Sequence, residues 1–159
     1  MEHKKVSRYL IAAGILAALV GGVVFFVFVP FEAVLCRALY PEWAHLFWPG
    51  LALTWIIAGL YMFAMADYFR ICGRIGKDQS FCMENARGLH RIAWLLIAAG
   101  GVILATALAC FLGNVGNFGF TLMLLAVAVA SAAMGVLAWG LGKLLARAVR
   151  LKEENDLTV

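Results

Sequence analysis

Four apolar runs, each about twenty residues long and almost free of charge, constrain this chain more than any other feature of its sequence. A helix rises ~1.5 Å per residue, so roughly 20 apolar residues cross a bilayer core of about 30 Å. Tyr9 to Val29 gives 21 uncharged residues ahead of Pro30, and Pro49 to Phe69 gives a second run whose one acid is Asp67. Ile92 to Leu112 and Gly119 to Gly142 are uncharged throughout. Lipid offers no partner to an unpaired backbone group, and no alternating strands of ~10 residues occur, so all four runs are read as helices. The expected fold class is an all-α integral membrane protein. It is one membrane domain over 1–159, with spans 9–29, 49–69, 92–112 and 119–142 packed as a four-transmembrane-helix bundle. Composition agrees: at 159 residues, 65% hydrophobic and 14% charged, the chain carries more apolar surface than a soluble domain of this size can bury.

The first run is too long for the apolar part of a signal peptide, and no Ala-x-Ala-like site follows it. Leu35 also stands where a lipoprotein site ahead of Cys36 needs a small residue, so the run is read as a retained span. Orientation comes from the bases. The N-terminal arm holds Lys4, Lys5 and Arg8; the segment between the second and third spans holds Arg70, Arg74, Lys77, Arg87 and Arg91; the tail holds Lys143, Arg147, Arg150 and Lys152. That is 12 of the 13 Lys and Arg residues, with only Arg37 between the first two spans. The positive-inside rule then places both termini and the middle loop in the cytoplasm. The formal charge of +4 is accounted for by orientation and anionic headgroups, and no direct nucleic-acid contact is expected.

Outside the spans, residues 30–48 are rich in rings suited to the headgroup level: Phe31, Tyr40, Trp43, Phe47 and Trp48. They read as one or two interfacial helices broken at Pro41. Glu32, Glu42 and His45 form no ligand motif, so no metal is expected there. Residues 80–91 read as a second interfacial element, an amphipathic lead-in to the third span, with Ser80 as N-cap and Glu84 in its first turn. Cys82, Ala86, Leu89 and Ala93 share one face, and Glu84, Arg87 and Arg91 another, which lies on the inner membrane surface or meets a cytosolic partner. The tail, 143–159, continues the fourth helix. Lys143, Arg147 and Arg150 make a candidate lipid-binding face, after which the charge reverses at Glu153, Glu154, Asn155 and Asp156. These last four, with Glu84, Arg87 and Arg91, are the candidate partner-binding residues.

Inside the spans, small residues recur at steps of four: Ala13, Ala17 and Gly21; Gly101, Ala105 and Ala109; Ala128 and Ala132, with Ser131 and Gly135 one step round. Such stripes let helices approach closely, within one bundle or across a homo-oligomer. Asp67 is the candidate intramembrane polar site, with Arg70 three residues on as its counter-ion. Thr54, Thr106, Thr121 and Ser131 can each bond their own helix backbone. No span holds a histidine for haem, and there is no glycine-rich phosphate loop, His-Glu-x-x-His or paired carboxylates. No catalytic residue and no cofactor is therefore expected, and the chain is read as not an enzyme. Cys72 and Cys82 fall on the cytoplasmic side, whereas Cys36 and Cys110 both fall outside, either as a disulfide or as two free thiols.

The segment QSFCMENARGLHRIA, with Ser80, Glu84, Asn85, Leu89, Arg91 and Ile92, and the ending LKEENDLTV, Glu153 to Val159, resemble the bacterial membrane proteins grouped as domain-of-unknown-function family 2975. The resemblance implies a four-span protein of the bacterial inner membrane. It also implies a pairing with a small helix-turn-helix regulator of the Cro type, and it brings no catalytic residues. The function expected is a regulatory or sensory membrane partner for a small cytosolic DNA-binding protein. The alternative is a small transporter, efflux or immunity-type membrane component.

Overall fold

The computed structural model describes residues 2–77, 79–116 and 118–156, and the side chains of 2–4 and 156 lie outside that description. All regular structure among the described residues is helical. Helix α1 runs Glu2–Val23 and passes through a π turn, Val24–Phe28, into α2, Val29–Leu39. A 3₁₀ segment, Pro41–Leu46, leads to α3, Phe47–Gly76; α4 is Met83–Leu112 and α5 is Phe118–Asp156. Four stretches are long and apolar enough to cross a membrane: Lys5–Leu39, Pro41–Gly76, Met83–Leu112 and Phe118–Asn155, with mean hydropathies of 2.7, 1.6, 2.5 and 2.3.

Pro30 does not close the first helix. A proline ring displaces the carbonyl four residues back and cannot donate, which normally kinks or stops a helix. Here the widened turn just before it, closed by Val29 N–H on the Val24 carbonyl, loosens the ladder, so the chain continues helically to Leu39. The break at Pro41 does occur, with Tyr40 leaving helical geometry at φ −129°. Between α4 and α5 the turn closes on Val115 N–H to the Cys110 carbonyl, 2.9 Å. Asn114 sits at φ 50° there, a conformation asparagine tolerates better than most residues.

The long helices pack only on their sequence neighbours. Close backbone contacts among the described residues join α1 to α3, α3 to α4 and α4 to α5, and none joins α1 to α4 or α5, or α3 to α5. The four-helix bundle expected from the sequence, which left its closure undecided, is an open row. Lipid solvates apolar side chains as well as another helix does, so nothing drives the row to close. On α4 and α5 the helices pack closely where they offer matched notches.

Those notches recur every seven residues, not every four. On α4, Ala86, Ala93, Gly100 and Ala107 are buried; on α5, Ala128, Gly135, Gly142 and Val149 are buried. The two series run antiparallel. A Cβ on Gly142 would meet the Ala86 carbonyl at 3.3 Å, one on Gly135 the Ala93 carbonyl at 3.0 Å, and one on Gly100 the Ala128 carbonyl at 3.1 Å. Gly101, Ala105 and Ala109, expected at a helix contact, are exposed. Ser131 bonds across the seam to the Leu96 carbonyl at 2.8 Å instead of to its own helix, whereas Thr54 and Thr106 do bond their own backbones.

The α1–α3 seam has the same period with different filling. Ser7, Gly14 and Gly21 line α1, and Tyr68 and Tyr61 of α3 lie over the two glycines. Tyr68 Oη donates to the Leu10 carbonyl at 3.0 Å and Tyr61 Oη to the Ala17 carbonyl at 2.6 Å, while Ser7 Oγ donates to the Cys72 carbonyl at 2.9 Å. A phenol in an apolar run needs a partner, and the second lone pair of a helical carbonyl supplies one. Ala13 and Ala17, expected at this contact, are exposed.

All four cysteines are free, and α2, which carries Cys36, makes no close approach to α4, which carries Cys110. The disulfide left open by the sequence is therefore not formed.

Candidate functional site at the basic end

The antiparallel seams bring the start of α1, the end of α3, the start of α4 and the end of α5 to one end of the row. Most of the arginines and lysines gather there. Asp67, 6% exposed, is the anchor of this end. Its Oδ1 takes Arg70 Nη1 at 3.1 Å, the pair expected from the spacing, and also Arg91 Nη2 of α4 at 3.3 Å. The second pairing ties α3 to α4 and was not foreseen. One carboxylate oxygen is thus shared by guanidiniums from two helices, and charge-assisted contacts of this kind are stronger than neutral ones.

The connection from α3 to α4 is organised by Asn85, 1% exposed. Its Nδ2 donates to the carbonyls of Gln79 and Ser80 at 3.0 and 3.1 Å, and its Oδ1 accepts from Arg74 Nη1 at 3.4 Å. One side chain thus satisfies two loop carbonyls and orients a guanidinium from the preceding helix. Helix α4 begins at Met83 with Cys82, not Ser80, in the N-cap position and extended at φ −136°, ψ 150°. Ser80 instead gives its carbonyl to Asn85. The expected lead-in is the opening of α4 itself, unbroken into the span, with Asn85, Ala86 and Gly88 buried.

The face assignment holds otherwise: Ala86 and Ala93 are buried and Leu89 partly so, whereas Glu84, Arg87 and Arg91 are exposed. Arg87 Nη2 pairs with Glu84 Oε1 at 3.3 Å. Glu84 precedes the apolar stretch that begins at Ile92. A hydrogen bond from its own backbone amide, and to a lesser degree the Arg87 charge, hold its carboxyl below the usual range.

On α5, Lys143 Nζ sits 3.8 Å from the centroid of the Trp139 ring. Arg147 and Arg150 are exposed further along, followed by exposed Glu153, Glu154 and Asn155. The Asp156 side chain and residues 157–159 lie outside the described residues. Of the tail, Lys143 and Ala146 share a groove with Glu84, Arg87 and Arg91.

Two grooves open at this end. The larger, about 680 Å³, lies between α4 and α5 and is flanked by Arg74, Arg87, Arg91 and Lys143. The smaller, about 540 Å³, lies between α3 and α4, lined by Asp67, Arg70, Arg91, Phe63 and Trp94. Arg91 borders both. Sequence reasoning missed Arg74, Asn85 as a buried ligand of the loop, and His90. For Asn85 a signal existed, since an amide in the middle of an otherwise apolar helix face needs partners of its own.

At the opposite end His45 Nδ1 donates to the Glu42 carbonyl at 3.1 Å and Arg37 lies over the Phe47 ring, 5.4 Å from its centroid. No group of three or more potential metal ligands occurs among the described residues.

The architecture is that of a multipass membrane protein with four apolar helices. The chain belongs to the family of proteins of unknown function designated DUF2975, whose profile matches residues 35–159. It matches no curated protein and no solved structure.

Proposed function

We propose that this chain is a bacterial inner-membrane protein with both termini in the cytoplasm. Its activity is regulatory or sensory: it holds a small cytosolic DNA-binding protein at the membrane. The observation that carries the reading is the one-sided placement of ordered polar structure. The Asp67–Arg91 tie, the Asn85-organised loop, the Glu84–Arg87 face and the charge-reversing end of α5 share one end, and the positive-inside rule makes that end cytoplasmic. At ~1.5 Å per residue, the part of α5 beyond Gly142 reaches about 20 Å past the apolar stretch, far enough to meet a soluble protein. The pairing with helix-turn-helix regulators implied by the family resemblance supports the same reading. The transporter alternative draws on Asp67, but that carboxylate is engaged by two guanidiniums.

Membrane recruitment tests the proposal. A small helix-turn-helix protein encoded beside this chain's gene should fractionate with membranes when the full chain is present. It should return to the cytosol when the chain stops at Arg150 and carries Glu84→Ala and Arg87→Ala. A regulator that stays cytosolic beside the intact chain, or the lack of any such neighbouring gene, contradicts it.

A further inference from the structure

The larger groove is amphiphilic in a way that fits one kind of molecule. Its rim carries four cationic side chains from three helices, Arg74, Arg87, Arg91 and Lys143, against a single carboxylate, Glu84, which is already paired with Arg87. Its floor is apolar, made by Met83, Ala86, Gly142 and Ala146 where α4 and α5 come together. His90 stands at the same rim. Its Nε2 accepts from Trp94 Nε1 at 3.2 Å, which places the proton of the neutral ring on Nδ1.

A second, independent observation sets the depth. Trp94 on α4 and Trp139 on α5 lie one helical turn toward the spans from His90 and Lys143, and both indoles contact those residues. Tryptophans near the same end of neighbouring spans mark the membrane–water boundary, and Trp139, level with Leu89 in the Ala86–Gly142 and Ala93–Gly135 register, lies about 7 Å nearer the helix end than Trp94. The cationic rim therefore lies at the phosphate level, with the apolar floor facing the start of the acyl chains.

We propose that the groove binds the headgroup of an anionic phospholipid, its phosphodiester against Arg87 and Lys143 and its glycerol backbone over Ala86 and Ala146. Arg74 and Arg91 frame the site but are also committed to Asn85 and Asp67. Arg87 and Lys143 are the two rim cations not bound to a buried partner. The inference does not depend on a cytosolic partner. It makes a site of Lys143 alone among the basic tail residues, because Arg147 and Arg150 do not line the groove.

The test uses the full chain in mixed phosphatidylcholine–phosphatidylglycerol nanodiscs, extracted with mild detergent and assayed for retained lipid by native mass spectrometry. The wild-type chain should keep phosphatidylglycerol in preference to phosphatidylcholine. Arg87→Gln with Lys143→Gln should lower that retention roughly thirtyfold, the loss expected from two surface cations. Arg147→Gln with Arg150→Gln, the same change in charge outside the groove, should leave it intact. Ala146→Phe, which keeps every charge and fills the floor, should also lower it. Equal loss from both double variants means diffuse attraction and overturns the proposal. So does retention unaffected by Ala146→Phe, or displacement of the lipid by inorganic phosphate alone.

Discussion

Replacing Gly135 by alanine should destabilise the protein, whereas the same replacement at Gly101 should not. A methyl group on Gly135 would stand 2.7 Å from Ile97 Cγ1, 3.0 Å from the Ala93 carbonyl oxygen and 3.3 Å from the Ile97 amide nitrogen. Two of those three atoms are backbone, so relief requires α4 and α5 to move apart. Overpacking of this kind costs about 1–3 kcal/mol. Exchanging glycine for alanine within a helix returns ~1 kcal/mol, which leaves a net loss of up to about 2 kcal/mol. Gly101 is on the partner helix of the same seam, α4, with nothing within 4 Å of an added Cβ, so only the helical gain applies. Equilibrium unfolding in mixed micelles, driven by sodium dodecyl sulfate and followed by tryptophan fluorescence, measures both. The midpoint for Gly135→Ala should fall and that for Gly101→Ala should hold or rise. Equal shifts, or a more stable Gly135→Ala, refute the seven-residue seam.

Other perturbations probe the remaining links. Asn85→Asp keeps the shape but aims a carboxylate oxygen at the Gln79 and Ser80 carbonyls; it should cost about 1–3 kcal/mol and expose the 77–82 connection to protease, and wild-type resistance would contradict the role given to the amide. Asp67→Asn removes the charge that ties α3 to α4 and should lower stability by about 1–2 kcal/mol in the same unfolding assay, with no effect on ion flux across liposomes; a change in flux with unaltered stability would favour the transporter alternative. Tyr61→Phe and Tyr68→Phe each delete one cross-helix bond to α1, at about 0.6 kcal/mol apiece, and together they should loosen α1 as judged by hydrogen exchange at Leu10 to Ala17.

The parts of this structure legible in the sequence are those with one physical solution. An apolar run long enough for a bilayer must be a helix, so the four spans were readable. Asp67 needed a counter-ion and Arg70 was the nearest, and the split of Ala86 and Ala93 from Glu84 and Arg87 followed from their polarity. Helix faces inside the spans were not legible in this way. In a soluble protein the polar stripe says which side faces out, but in lipid both sides of α4 are apolar. Gly101 and Gly100 are one residue, about 100° of rotation, apart. Only the partner helix distinguishes them, and the matched seven-residue series on α5 was the available clue. The same reasoning covers Ser7, Gly14 and Gly21, whose period became meaningful only beside Tyr61 and Tyr68. Arg74 escaped notice because its role depends on a loop geometry that no local pattern encodes, whereas the amide of Asn85 on an apolar helix face was a legible signal.

The central claim is that the end organised by Asp67, Asn85 and the α5 extension faces the cytosol, and the native cysteines report on it directly. Cys36 is exposed at the far end of α2, and Cys82 caps α4 at the basic end. A membrane-impermeant maleimide added to intact spheroplasts should label Cys36 and leave Cys82 unmodified until the membrane is opened. Labelling of Cys82 in sealed spheroplasts, with Cys36 protected, would contradict the account.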